Sequence, residues 1–332
     1  MRKLINEPDR VAAETIEGLA LAFPQYVRRL EGWPCVVRRN SPHSGKVAIL
    51  TGGGSGHEPM FAAFTGRGMA DASVAGNIFA SPPPPPIVEA AKAAHGGRGV
   101  AFLYGNYAGD VLNFDVAAEM LEGLGIRVGT VRITDDVASA PADRSEERRG
   151  IAGGMLVMKA AGAKAELGAS LDEVMAAAHH ANENTRTMGV ALSSCIIPAS
   201  GRPIFALGEG EMEIGMGIHG EPGVERGKLG TADQVAANMV GRILADLPFK
   251  RGDEAAVMIN GLGATPLGEL FIVFRSVARL LTSAGIGIGR SYVGNYVTSL
   301  EMAGCSVSLM RLDAELKSLL FAAAETPALV QV

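Results

Sequence analysis

Aromatic side chains and cysteines are scarce in this chain. Only 5% of its 332 residues are Phe, Trp or Tyr, and the three cysteines, Cys35, Cys195 and Cys305, stand far apart. No two of them have the short spacing of a zinc or redox site, so they read as buried thiols in a reducing compartment. No uninterrupted apolar run reaches the roughly 20 residues that cross a bilayer. No signal-peptide core follows the opening Met-Arg-Lys-Leu-Ile-Asn-Glu-Pro. A soluble, cytoplasmic protein is expected. A formal charge of −5 supplies no attraction for nucleic acid or an anionic membrane, and neither is expected as a partner. Repeat arrays, coiled coils and long disordered tracts are missing too.

Glycine, by contrast, is abundant. Its 43 residues exceed the usual share of about 7%, which suits tight loops and close helix–sheet packing. Short apolar runs alternate with helical patterns along the whole length. Val47–Leu50, Gly99–Tyr104 and Ile126–Ile133 read as strands, as do Met188–Cys195, Met212–His219, Ala255–Asn260 and Ile286–Val293. Helical patterns cover about Asn113–Leu124, Ile151–Ala161, Leu171–Arg186, Ala232–Leu247 and Leu267–Ala284, and Pro59–Phe64 opens a short helix. Strand–loop–helix order predicts two α/β domains, each a mixed, largely parallel sheet flanked by helices. The division falls near residue 186, giving domains 1–185 and 186–332, with a C-terminal tail able to pack back on the first. Pro82–Pro86 reads as an extended or turn segment, because proline cannot donate to a ladder. The densely charged Asp143–Arg149 reads as a solvated surface.

In such folds ligands gather beyond the carboxyl ends of the strands, and three loops there could carry chemistry. Gly52-Gly53-Gly54-Ser55-Gly56-His57-Glu58-Pro59 can turn backbone N–H groups toward an anion or hydroxyl without Cβ interference. It lacks the Lys-Ser or Lys-Thr of a P-loop, matches a dinucleotide fingerprint loosely, and is equally a tight strand-to-helix turn. Gly109-Asp110 follows the next strand; Asp110 is a helix cap or a general base for an alcohol, while Asp115 belongs on a helix surface. In Glu211–Gly223, His219 closes a strand among glycines and is available as ligand, acid, base or nucleophile. His179 and His180 read as surface or packing residues, His43 and His95 as loop residues without a partner motif. No Asp/Glu/His cluster has metal-site spacing.

Together these loops resemble the DhaK subunit family of dihydroxyacetone kinases. The matching strings are Gly52–Pro59, Asn106–Phe114 and Glu211–Gly223, with further likeness in Leu4–Pro8, Arg149–Gly154 and Val293–Gly304. The resemblance implies that a ring nitrogen of His219 adds to the ketone of a small ketose, holding it as a hemiaminal. It implies that Gly54, Ser55, Gly56 and His57 hold the hydroxyls, and that Asp110, assisted by His57, acts as base at the reacting one. It implies no cofactor or metal in this chain, but ATP or ADP with Mg²⁺ on a DhaL-type partner subunit, recharged in some systems by a phosphotransferase-system protein. A homodimer is implied as well. The covalent tether makes physical sense. A three- or four-carbon sugar has few atoms, and even the best small ligands gain only about 1.5 kcal/mol per non-hydrogen atom. A tether orients it for transfer and rejects glycerol, which has no carbonyl. Gly105 stands where many members of the family have lysine, which opens the substrate range to a tetrulose such as erythrulose. The competing reading is a non-catalytic, DhaK-like ketose sensor that regulates through a partner.

Overall fold

The structure, a computed structural model, describes residues 3–332. In chain order the elements are α1 (Val11–Ala22), β1 (Val27–Arg29), β2 (Cys35–Arg38), β3 (Ala48–Ser55), β4 (Ala72–Ile78), α2 (Pro84–Ala94), β5 (Val100–Gly105), α3 (Ala108–Gly123) and β6 (Val128–Ile133). There follow α4 (Gly154–Glu166), α5 (Leu171–Glu183), β7 (Thr185–Ala191), β8 (Glu211–Ile214), β9 (Glu225–Lys228), α6 (Ala232–Asp246), β10 (Glu254–Gly261), α7 (Leu267–Ala284), β11 (Gly287–Gly294) and β12 (Gly304–Leu312). The chain ends with α8 (Ala314–Phe321) and a small hairpin, β13 (Ala324–Glu325) and β14 (Val330–Gln331).

These elements form two compact units, each with a six-stranded mixed sheet flanked by helices. One unit holds residues 3–133, 157–180 and 318–332, the other 134–156 and 181–317. The single boundary expected at 185/186 therefore gives way to a discontinuous division. Long-range bonds are the cause. Asp135 accepts from the backbone N–H of Ile151 and Gly153, and its carbonyl accepts from Thr187 N, which ties the 134–156 segment to β7. At the C-terminus Glu325 N donates to Arg67 O, tying the tail to the first unit.

The first unit's sheet has the order β1-β2-β4-β3-β5-β6, with β4, β3, β5 and β6 parallel. Alternation along β2 places its helices on both faces: Cys35 and Val37 point into a core with α2 and α3, and Val36 into one with Ile16 of α1. Full burial on both faces explains the unbroken apolar run that precedes the glycines of β3. β4 was not legible, because its Ala-Ser-Val-Ala-Gly-Asn-Ile is built from small residues.

The proline run behaves differently from the expectation. Pro84, Pro85 and Pro86 are the first turn of α2, with Pro83 in extended geometry before them. First-turn amides have no intrahelical acceptor, so a proline there forfeits no hydrogen bond. Asp143–Arg149 is likewise not simply a solvated face: Arg148 is only 1% exposed. Its guanidinium forks onto Asp246 (Nη1 to Oδ1 2.8 Å, Nη2 to Oδ2 2.5 Å) while Nε reaches Ala140 O.

The second unit's sheet runs β11-β10-β12-β7-β8-β9. Among the described pairings only β10–β11 is parallel; β12 inserts antiparallel between β10 and β7, and β8–β9 is a hairpin. One face is apolar: Met188, Val190, Val257, Ile259, Val307 and Leu309 pack against Val235, Met239 and Ile243 of α6 and Val277 and Leu281 of α7. The opposite face carries Thr187, Asn260, Ser306 and Ser308, with Thr187 Oγ1 and Ser308 Oγ 2.7 Å apart. α6 begins at a reciprocal Thr231–Gln234 cap, and α7 stops at Gly285 in the left-handed region.

Candidate functional site

Parallel neighbours β3 and β5 end at the same edge of the first unit's sheet, so the loops that follow them are adjacent. The loop after β3 carries His57, and the helix that follows the loop after β5 carries Asp110. At the end of β3 glycine is required by packing. A Cβ on Gly53 would collide with the Phe61 ring, and one on Gly54 would lie 2.7 Å from Ala80 N. Ser55 Oγ donates to Gly76 O at 2.7 Å, pinning the loop to β4. Gly56 turns the chain at φ +99°, and its N–H donates to the Glu58 carboxylate at 3.1 Å. Burial pushes the Glu58 carboxyl up from its ordinary value, against the opposing pull of those backbone donors.

His57 follows. It is buried, and its ring stacks on Phe79 with centroids 5.0 Å apart and planes 19° from parallel. Stacking fixes the ring plane, a property useful in a group that must meet a hydroxyl at one angle. Asp110 is not the cap that one reading allowed. α3 starts at Ala108 with Tyr107 before it, so Asp110 is the third helical residue, half-buried in the first turn. A carboxylate there is stabilised by the helix dipole. Gly105, the last residue of β5, is half-buried just before this loop. Asp115 lies one turn further along and pairs with Arg132 at 2.8 Å; His179 is exposed on α5.

His219 belongs to the second unit. The expected strand to residue 219 is shorter: β8 ends at Ile214, because Gly215 takes φ +82° and a Cβ there would lie 2.6 Å from Ala138 Cβ. Residues 215–224 form the loop that leads to β9. Ser299 Oγ holds it from below by donating to Ile218 O at 2.5 Å. His219 itself is partly exposed and contacts a residue the sequence did not single out. Glu221 Oε1 lies 3.0 Å from His219 Nδ1, and Oε2 accepts from the His219 backbone N–H at 3.0 Å. Burial, which alone would raise it, is outweighed by the hydrogen bond and charge of His219 and by Arg149, so the Glu221 carboxyl falls to about 2.

Arg149 is the second residue missed, because it closes a charged run that reads as surface. It donates to Gly215 O at 3.2 Å and to Asp136 Oδ2 at 2.9 Å through Nε, and its Nη1 lies 3.9 Å from Glu221 Oε2. Burial raises the Asp136 carboxyl to about 6 despite Arg149. A lone signal for Arg149 existed: the apolar and glycine-rich Ile151–Gly154 directly after it. Cys35, Cys195 and Cys305 are all buried, and burial pushes the Cys35 and Cys305 thiols up to about 12. No group of three His, Cys, Asp or Glu among the described residues has the arrangement of a metal site. Among the described residues no helix is long and apolar enough to cross a membrane.

The Dak1 domain family matches residues 17–328. The dihydroxyacetone-binding subunit DhaK of the PTS-dependent dihydroxyacetone kinase 2 of Listeria innocua is 46% identical over 98% of this chain and 98% of its own length. The D-erythrulose kinase of Mycolicibacterium smegmatis is also 46% identical, over 99% of this chain but only 56% of that enzyme. Among solved structures, the native dihydroxyacetone kinase of C. freundii superposes with a TM-score of 0.89 at 36% identity, covering 99% of this chain and 60% of that one. The dihydroxyacetone kinase operon co-activator Dha-DhaQ superposes at 0.90 with 31% identity over 98% and 99%.

Proposed function

Since the chain belongs to the Dak1 family of dihydroxyacetone kinases, as a chain of the DhaK ketose-binding type, we propose that it binds a short-chain ketose covalently on His219 and presents a terminal hydroxyl for phosphorylation. The observation that carries this reading is the pairing of His219 Nδ1 with the Glu221 carboxylate at 3.0 Å, on a loop of glycines in a chain that matches a DhaK subunit over 98% of both lengths. A carboxylate only accepts, so the neutral ring keeps its proton on Nδ1 and its lone pair on Nε2. Nε2 is the nucleophile: its lone pair adds to the ketone carbon and the carbonyl oxygen takes a proton, giving the hemiaminal. Asp110 accepts the proton of the reacting hydroxyl as it attacks the phosphate, with His57 assisting and Gly54, Ser55 and Gly56 holding the remaining hydroxyls.

Phosphoryl transfer also needs a nucleotide phosphate and Mg²⁺ to neutralise its charge. The chain spans 98% of the length of that DhaK subunit and 56% of that of the erythrulose kinase; in the proposed reaction a DhaL-type subunit supplies ATP or ADP with Mg²⁺. Intact-mass measurement with and without dihydroxyacetone tests the tether. Wild type is expected to gain the mass of one ketose and His219→Ala none; an equal gain in both sinks the reading.

A tetrulose is the second expected substrate, because Gly105, just before Asn106 and Tyr107, has no side chain where many members of the family have lysine. With the DhaL partner present, erythrulose is expected to match or exceed dihydroxyacetone in kcat/KM. A strong preference for the triose would restrict the chain to three carbons. The likeness to the Dha-DhaQ co-activator favours one rival, a ketose-binding regulator. The rival forms the same adduct but yields no sugar phosphate when ATP, Mg²⁺, ketose and a DhaL-type subunit are supplied.

A further inference from the structure

The carboxylate beside His219 is built in more firmly than a chance loop contact. It bonds both the ring Nδ1 and the backbone N–H of the same histidine, each at 3.0 Å, which fixes the rotation of the ring about its own backbone. Gly217 leaves room for it: a Cβ at that position would overlap the Glu221 carboxylate and lie 2.6 Å from Arg149 Nη1. Arg149 in turn is locked from several directions. Its backbone N–H donates to Ser139 Oγ at 2.9 Å, its side chain to Gly215 O and Asp136, and Asp136 Oδ1 is held by Ala138 N at 3.0 Å. Within this unit the charged and titratable groups that face Glu221 are His219, from its own loop, and Arg149, from the segment before α4, which Asp136 anchors.

We propose that Glu221 is a positioning residue that sets the proton balance of ketose capture, so that each ketose bound takes up one proton from solvent. This rests on the covalent reading of His219. Before addition the neutral ring donates its Nδ1 proton to Glu221. As Nε2 bonds to the ketone carbon, the carbonyl π pair moves to oxygen and the ring becomes a cation. A ring that then shed its Nδ1 proton would face a carboxylate with a lone pair, two acceptors 3.0 Å apart. Retaining the proton gives a charge-assisted hydrogen bond instead. Glu221 stays ionised because its Oε2 accepts from the His219 backbone N–H at 3.0 Å and lies 3.9 Å from Arg149 Nη1, contacts that do not depend on the ring proton. The oxygen is therefore protonated by solvent, and the adduct is an imidazolium paired with Glu221, the role a carboxylate plays beside the histidine of a hydrolase triad. Ketose affinity accordingly falls as pH rises, since a proton is a reactant.

Titration calorimetry with dihydroxyacetone, in alkaline buffers of different ionisation enthalpy, reads the proton uptake directly. Wild type is expected to take up close to one proton per ketose. In Glu221→Gln the amide can accept from Nδ1–H before addition and donate to bare Nδ1 after it. Uptake is then expected to drop to well under half a proton, with about tenfold to hundredfold weaker binding, the loss expected when one charged hydrogen bond becomes neutral. Nitrogen-15 NMR of wild type, which needs no variant, is expected to show Nδ1 protonated and Nε2 bare. Equal proton uptake in wild type and Glu221→Gln, or a ring protonated on Nε2, overturns the role of Glu221 while leaving the adduct in place. Absence of any His219 adduct in wild type overturns both readings.

Discussion

Asp110→Asn is expected to lower the rate of ketose phosphorylation by about 10²- to 10⁴-fold, the usual worth of a positioned general base, without reducing the mass gained at His219. The split between the two readouts is the informative part. Asparagine occupies the same third position of α3 and keeps a hydrogen-bonding oxygen, but it cannot accept the hydroxyl proton as bond formation to phosphorus begins. In the proposed reaction, capture of the ketose depends on the lone pair of His219, which belongs to the other unit and to another step. Mass spectrometry of the adduct and a coupled assay with the DhaL partner would be run on the same preparation. Turnover close to wild type would remove Asp110 from the chemistry and leave it as a first-turn acidic residue favoured by the helix dipole. Loss of the adduct together with turnover would assign it to binding.

The second large effect concerns stability. Arg148→Ala is expected to cost about 3 kcal/mol, because truncating one member of a buried ion pair strands the other. Arg148 is almost wholly buried, and its fork onto Asp246 is bidentate. The estimate sits at the lower end of the range for such losses because Arg186 Nε still reaches Asp246 Oδ1 at 2.5 Å. Asp246 is correspondingly poised. Burial raises its proton affinity, but the hydrogen bonds and charges of Arg148 and Arg186 more than offset that and hold it below the usual carboxylate range. The urea midpoint is the measurement. Arg148→Met paired with Asp246→Leu is expected to recover a large part of the loss, since an apolar pair of similar volume strands no charge. A midpoint unchanged in Arg148→Ala would mean that water replaces the guanidinium at no cost.

These two residues show where sequence reading reached and where it stopped. The two α/β units were legible because apolar runs and helical periods alternate, and α7 falls on Leu267–Ala284 as its pattern implies. Strand β12 was there to be read in the alternation of Cys305, Val307 and Leu309 with Ser306 and Ser308, but its antiparallel insertion between β10 and β7 is a non-local pairing. Local pattern carries no such information. The same holds for the discontinuous units, which depend on bonds such as Asp135 to Gly153 and Glu325 to Arg67. His57, Asp110 and His219 stood out because each follows a strand and glycines. Glu221 did not. Two residues apart in a loop says nothing about side-chain direction, and only the turn at Gly220 (φ +84°) bends the chain so that this carboxylate meets the ring. Arg149 was hidden for the opposite reason: charge density suggested water, whereas its partners lie in distant segments.

The proline turn of α2 also has an electrostatic consequence for this sheet edge. A helix ordinarily greets anions with its first backbone amides, but Pro84, Pro85 and Pro86 have none to offer. Of the two helices that start after β4 and β5, only α3 has amide hydrogens throughout its first turn. In the proposed reaction, the phosphate that reaches this sheet edge is thereby discouraged from lodging at α2 and is left to the first turn of α3, which carries Asp110.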